Sequence, residues 1–138
     1  MAFRMKLVER ELMNWSKQPM QHEAQEQKAL FAWAALASKK YPELVLLYHI
    51  PNGGSRNKIE AANLKRQGVK AGVPDICLPV ARSGFHGLYI ELKAGRNKAT
   101  EKQQEWLTAL EREGYQAIVC CGWEEAKRAI EMYLRGEK

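Results

Sequence analysis

With 138 residues, 46% of them hydrophobic and 28% charged, the chain is sized for one soluble domain whose core needs no disulfide or structural metal. Its 22 Lys and Arg against 16 Asp and Glu leave a net charge of +6, which favours polyanionic partners through counterion release without naming one. No apolar run approaches the ~18 residues of a membrane span, and the segment MAFRMKLVERELMNW lacks the continuous apolar stretch of a signal peptide, so the expected compartment is the cytoplasm.

Lys6 to Lys17 reads as a helix that Pro19 stops, and residues 1–20 are assigned to an N-terminal helical arm, with 21–138 as the main domain. A stronger helix follows from about Gln21 to Lys39, with Ala24, Leu30, Phe31, Ala34, Ala35 and Ala37 at helical spacing and Pro42 beyond it. The apolar run Leu44 to His49 predicts a buried strand, and PNGGSRN predicts a tight turn. Asn57 with Glu60 three residues later has the form of a helix start, and Gly68 can end that short helix.

Asp75 to Val80 predicts a strand that Pro79 keeps short or at an edge, and His86 to Lys93 a clearer one, the two joined as a hairpin. Thr100 and Gln103 form a capping box before a helix with Trp106, Leu107 and Leu110 as its inward stripe, closed by Gly114. A buried strand, Tyr115 to Cys121, and a helix, Glu124 to Leu134, complete the chain. Cys77, Cys120 and Cys121 lie in apolar surroundings and at no zinc-ligand spacing, so they are expected to pack as small hydrophobes. The order of elements predicts an α/β fold with a central mixed sheet and helices on both faces.

Chemistry concentrates in Pro74-Asp75, fifteen further residues, then Glu91-Leu92-Lys93. Strand side chains alternate, so Glu91 and Lys93 share a face and Leu92 turns to the core. If the two strands pair, Asp75 comes to sit beside Glu91. Two carboxylates there suit Mg²⁺ or Mn²⁺, and a lysine two residues on adds positive charge beside a scissile phosphate. Taken singly, each residue has an ordinary reading: an exposed ion pair for Glu91 and Lys93, a strand start for Asp75.

These residues resemble the PD-(D/E)xK nuclease signature. Together with HEAQEQ, HIPNGG, GVKAGVPD, GLYIELK, T-x-x-Q and the late GY, they look like the VRR-NUC family from about Gln21 onward. The resemblance implies a restriction-endonuclease-like fold with a mixed sheet of about four strands. It also implies Asp75 and Glu91 as metal ligands, the Leu92 carbonyl as a further ligand and Lys93 as the catalytic lysine. A family glutamate on the first core helix matches Glu23 in an E-x-x-x-Q pattern with Gln27. Glu26, three residues on and sharing the same face, competes with it. Gln103 matches a family glutamine that the capping box already explains. Stand-alone members are small and often phage-encoded, which implies a bacterial or phage-infected host cell. Their similarity to Holliday junction resolvases implies a homodimer acting on branched or junction DNA.

Basic residues flank these positions: Arg56, Lys58, Lys65, Arg66 and Lys70 on one side, Arg96, Lys98 and Lys102 on the other, with Asn52 and Gly53 in the loop beside them. They read as two banks of a groove that tracks the DNA backbone without reading bases, which implies structure-selective binding. The sequence thus points to a metal-dependent structure-selective DNA endonuclease. The competing reading is a nucleic-acid-binding module with the same fold and no turnover; an enzyme acting on small phosphates is disfavoured by the lack of a glycine-rich phosphate cradle.

Overall fold

The computed structural model describes residues 19–51 and 57–137. The expected helix at Lys6 to Lys17 and the loop residues Asn52, Gly53 and Arg56 lie outside the described residues. Helix α1 (Pro19–Ala37) is followed by a 3-10 helix (Pro42–Leu46), strand β1 (Tyr48–His49), helix α2 (Lys58–Arg66), and strands β2 (Ile76–Leu78) and β3 (Leu88–Lys93). Helix α3 (Glu101–Arg112), strand β4 (Gln116–Cys121) and helix α4 (Trp123–Leu134) complete it. The strands form one mixed sheet in the order β1-β2-β3-β4, with β3 and β4 parallel and the other pairs antiparallel. This is the mixed α/β arrangement expected.

The run at Leu44 is not the expected strand. Pro42 opens a 3-10 helix in which Leu44 N donates to Tyr41 O and Leu47 N to Leu44 O. At this tighter pitch side chains three apart eclipse. Leu44 and Leu47 are therefore buried while Val45 and Leu46 are 76% and 50% exposed. Strand character survives only at Tyr48–His49. β2 is short as expected, but it lies between β1 and β3 and not at an edge; Pro79 comes just after its last residue, where it removes no ladder bond.

One core joins Leu30 and Ala34 of α1 to Ile76, Leu78, Leu88, Ile90, Leu92 and Cys120 of the sheet and to Ala126, Ile130 and Tyr133 of α4. Helix α3, the parallel crossover from β3 to β4, packs along β4, and Leu107 is its buried residue. In α1, Ala24 and Ala35 face solvent, contrary to the expected stripe. The buried side runs through positions 23, 27, 30 and 34, which carries Glu23 toward the end of β3. Cys77 and Cys120 are buried as expected, whereas Cys121 is exposed. Among the described residues, no helix is long and apolar enough to cross a membrane.

The approach to Asp75 is held by a glycine. Gly72 has φ +93°, and a Cβ there would stand 2.8 Å from Lys102 O and 2.9 Å from the Trp106 ring, so only glycine lets this loop press against α3. Gly72→Ala is expected to cost ~1–3 kcal/mol through backbone strain and the clash. Urea unfolding followed by circular dichroism measures that loss.

Candidate active site

The β2–β3 register sets the central geometry. Ile76 lies opposite Ile90, so Asp75, one residue earlier, falls opposite Glu91 on the same face of the sheet. Asp75 is fixed at both ends. Its Oδ2 accepts from Leu92 N at 2.9 Å. Its carbonyl accepts from Ile50 N at 2.6 Å and lies 2.9 Å from His49 Nδ1, which must donate to it. His49 therefore positions Asp75 through the backbone. In an extended strand a residue's N–H and C=O point to the same edge. Lys93 O accepts from Gly122 N on the β4 side, so Leu92 addresses the opposite edge and its carbonyl points toward Asp75.

Glu91 and Lys93 are only 1% and 6% exposed. Lys93 Nζ stands 3.6 Å from Glu91 Oε1 and 4.0 Å from Glu23 Oε1. The other Glu91 oxygen, Oε2, is buried with no hydrogen-bond partner. Burial, then the charge of Asp75 and a hydrogen bond shared with it, push the Glu91 carboxyl up to about 8, with Lys93 pulling the other way. Burial also raises Glu23, opposed by Lys93, reinforced by Asp75 and opposed by a hydrogen bond from Asn97. Two crowded carboxylates and an orphaned buried oxygen need either a proton or a cation.

The two candidate glutamates of α1 separate completely. Glu23 faces Lys93 and accepts from Asn97 Nδ2 at 3.5 Å. Glu26 Oε2 instead accepts from Trp123 N at 2.7 Å, in the first turn of α4. The residue before that helix is Gly122, which has no capping side chain, so Glu26 supplies the cap from another element. Gln103 sits in the expected capping box, its Oε1 accepting from Thr100 N at 2.8 Å. No hydrogen bond or ion pair among the described residues joins it to the carboxylates. Asn97 belongs to none of the sequence motifs; its one signal is a polar residue in the loop directly after the Glu91-Leu92-Lys93 strand.

Of the basic candidates, Lys58, Lys65, Arg66, Lys70, Arg96 and Lys98 are exposed. Arg96 and Lys98 flank Asn97 beside Glu23, while Lys58, Lys65 and Arg66 stand on α2, a helix with no buried residue. The converging donors that could hold a metal are all oxygens, a hard set suited to Mg²⁺ or Mn²⁺. Among the described residues no three His, Cys, Asp or Glu side chains form a ready-made cage. Mg²⁺ seldom uses one, taking one or two carboxylates with waters and substrate phosphate.

The VRR-NUC domain matches residues 9–123. The chain belongs to the VRR-NUC family. A solved structure described as a VRR_NUC domain protein superposes with TM-score 0.72 at 34% identity, over 85% of this chain and 91% of the other. No curated protein matches. Membership carries nuclease-type function, and the Asp75, Glu91 and Lys93 cluster lies inside the matched span.

Two outcomes follow from this geometry in the VRR-NUC domain. Between its ordinary value of 4.5 and about 8, folded Glu91 keeps a proton that the unfolded chain has lost. Stability of the protein in EDTA therefore falls as pH rises through that window. Glu91→Gln should flatten the dependence and raise Tm at pH 8, read by thermal melts across the pH series. Separately, Glu26→Ala should lose about 1–2 kcal/mol with the cap of α4, while Glu23→Ala loses much less; urea midpoints of the two variants compare them.

Proposed function

We propose that this VRR-NUC domain is a metal-dependent DNA endonuclease that hydrolyses a phosphodiester at Asp75, Glu91 and Lys93. The observation that carries the reading is Glu91 Oε2, buried without a partner beside a second carboxylate. A buried carboxylate oxygen with no donor, next to a second carboxylate, is costly unless charge arrives to neutralise it. Asp75 and Glu91 would hold Mg²⁺ or Mn²⁺, with the Leu92 carbonyl and Glu23 as further oxygen donors. The ion, when bound, supplies charge neutralisation at the phosphate and makes water acidic enough to attack.

The chain's own residues do the rest. Lys93 is held between Glu91 and Glu23 with its ammonium toward the carboxylates. A substrate phosphate drawn to the site would meet that ammonium, which donates to the attacking water and stabilises negative charge as it develops on phosphorus. Asn97 orients Glu23, Leu92 N–H keeps the Asp75 carboxylate from rotating away, and His49 holds the Asp75 carbonyl. The exposed lysines and arginines on α2 and beside Asn97 hold the DNA backbone, and selection is by DNA structure, since among the described residues these positions offer charge to phosphates rather than a helix or strand set to read base edges. The preferred substrate is branched DNA, and a homodimer would place two such centres to cut opposing strands of a four-way junction.

A cleavage panel of linear, flap and four-way-junction DNA with Mg²⁺, Mn²⁺ or EDTA tests this. Wild-type protein should cut only with metal, junction DNA should receive paired incisions, and Asp75→Ala or Lys93→Ala should lose at least about a hundredfold in rate. Cleavage by Asp75→Ala at the wild-type rate would refute the site. Salt-sensitive DNA binding without nicking under any metal would leave a binding module in place of an enzyme.

A further inference from the structure

A cleft of about 420 Å³ opens between the end of α2, the loop after it and the start of α3, lined by Lys65, Val69, Lys70, Lys102, Glu105 and Trp106. Its construction is specific. The contact of Gly72 with Lys102 O and the Trp106 ring clamps the loop against α3. That contact brings Lys70 on the loop and Lys102 on the helix to the same opening as the indole. Lys65 comes in from the last turn of α2, where it also complements the helix dipole. Among the described residues none of these three lysines pairs with a carboxylate within 4.0 Å, so their charge is unspent and outweighs that of Glu105. Trp106, expected as a core anchor, is only half-buried and forms part of the cleft wall.

We propose that this cleft seats an unpaired nucleotide segment of the substrate, one base stacked on Trp106 and its flanking phosphates on Lys65, Lys70 and Lys102. Cations around an aromatic face are the equipment for holding single strands, because every base offers a π-face while a phosphate backbone needs only charge. A paired base keeps its faces inside the duplex stack, so only an unpaired one can use the indole. The volume lies within the range of small-ligand sites, enough for a base and its sugar. Position ties the cleft to the chemistry. Its loop wall at Ala71 continues along the chain through Gly72, Val73 and Pro74 to Asp75. A strand that follows this loop away from the carboxylates would reach the cleft. The inference rests on the nuclease reading of that site and adds, among branched substrates, a preference for DNA carrying a single-stranded arm or end.

The test measures binding in EDTA, apart from cleavage, by fluorescence anisotropy of a labelled blunt duplex and the same duplex with a single-stranded tail. Wild-type protein should bind the tailed DNA about tenfold more tightly, in line with a stacked base and its phosphate contacts. Lys70→Glu combined with Lys102→Glu, both exposed positions, should erase that advantage and lower the salt slope for tailed DNA by about 1.4, the share of two single-strand phosphates. Trp106→Leu, with its fold checked by circular dichroism, should reduce the tail advantage while sparing blunt-duplex affinity. Equal affinity for tailed and blunt DNA in the wild type, or a full tail advantage in the double variant, overturns the proposal. Failure of the wild type to cleave any DNA with Mg²⁺ or Mn²⁺ would instead strike the nuclease reading, and the binding comparison would stand on its own.

Discussion

Asp75 and Glu91 face each other from adjacent strands at a place where water does not reach Glu91. Their mutual repulsion, added to the cost of dehydrating Glu91, is the tension around which the surrounding structure is arranged. Lys93 relieves part of it, yet Lys93 is itself buried and divides its charge between Glu91 and Glu23. One ammonium among three carboxylates leaves a negative excess in a poorly solvated spot. Such a spot binds a proton or a divalent cation, and a fold that keeps it must restrain the groups that would otherwise move apart.

Those restraints are visible on every side. Leu92 N–H grips the Asp75 carboxylate, while Ile50 N–H and the His49 ring hold its carbonyl. β3 is covered on both faces, so Glu91 and Lys93 have little room to swing toward solvent. Helix α1 brings Glu23 to the cluster along its buried stripe and uses Glu26 to cap α4, so two glutamates three residues apart perform unrelated tasks. The Gly72 contact closes the loop on α3 and so fixes the path into Asp75. The same contact shapes the lysine-lined cleft, so the cleft and the placement of the carboxylates share one piece of backbone.

Local signals translated well where the physics is local. The Asn57 and Thr100 caps formed as read, because a side chain bonding a backbone N–H three residues on needs nothing from the rest of the chain. The strand carrying Glu91-Leu92-Lys93 was legible because its alternation puts Leu92 in the core and the charged pair on the other face. The Leu44 run is ambiguous in sequence: four apolar residues in a row fit a buried strand or a 3-10 turn equally, and Pro42 with the Tyr41 carbonyl tips the balance to the turn. The α1 stripe departs from the sequence pattern for a related reason. Alanines give little indication of direction, and the buried face passes through Glu23 and Gln27.

The sequence alone determined the order of elements, the mixed α/β class, the family resemblance and the pairing of Glu91 with Lys93 on one strand face. Each of these depends on spacing within a single segment or on motifs in series. Only the tertiary structure decided which α1 glutamate turns to the cluster, that Glu91 is buried with one oxygen unpartnered, and that Trp106 shares a cleft with three lysines. Those outcomes depend on contacts between residues far apart in the chain: Glu26 with Trp123, Asp75 with Leu92, Gly72 with Trp106. Spacing along one segment carries no record of which distant backbone N–H will claim a carboxylate, and so the chemistry of each acid was settled by its neighbours in space.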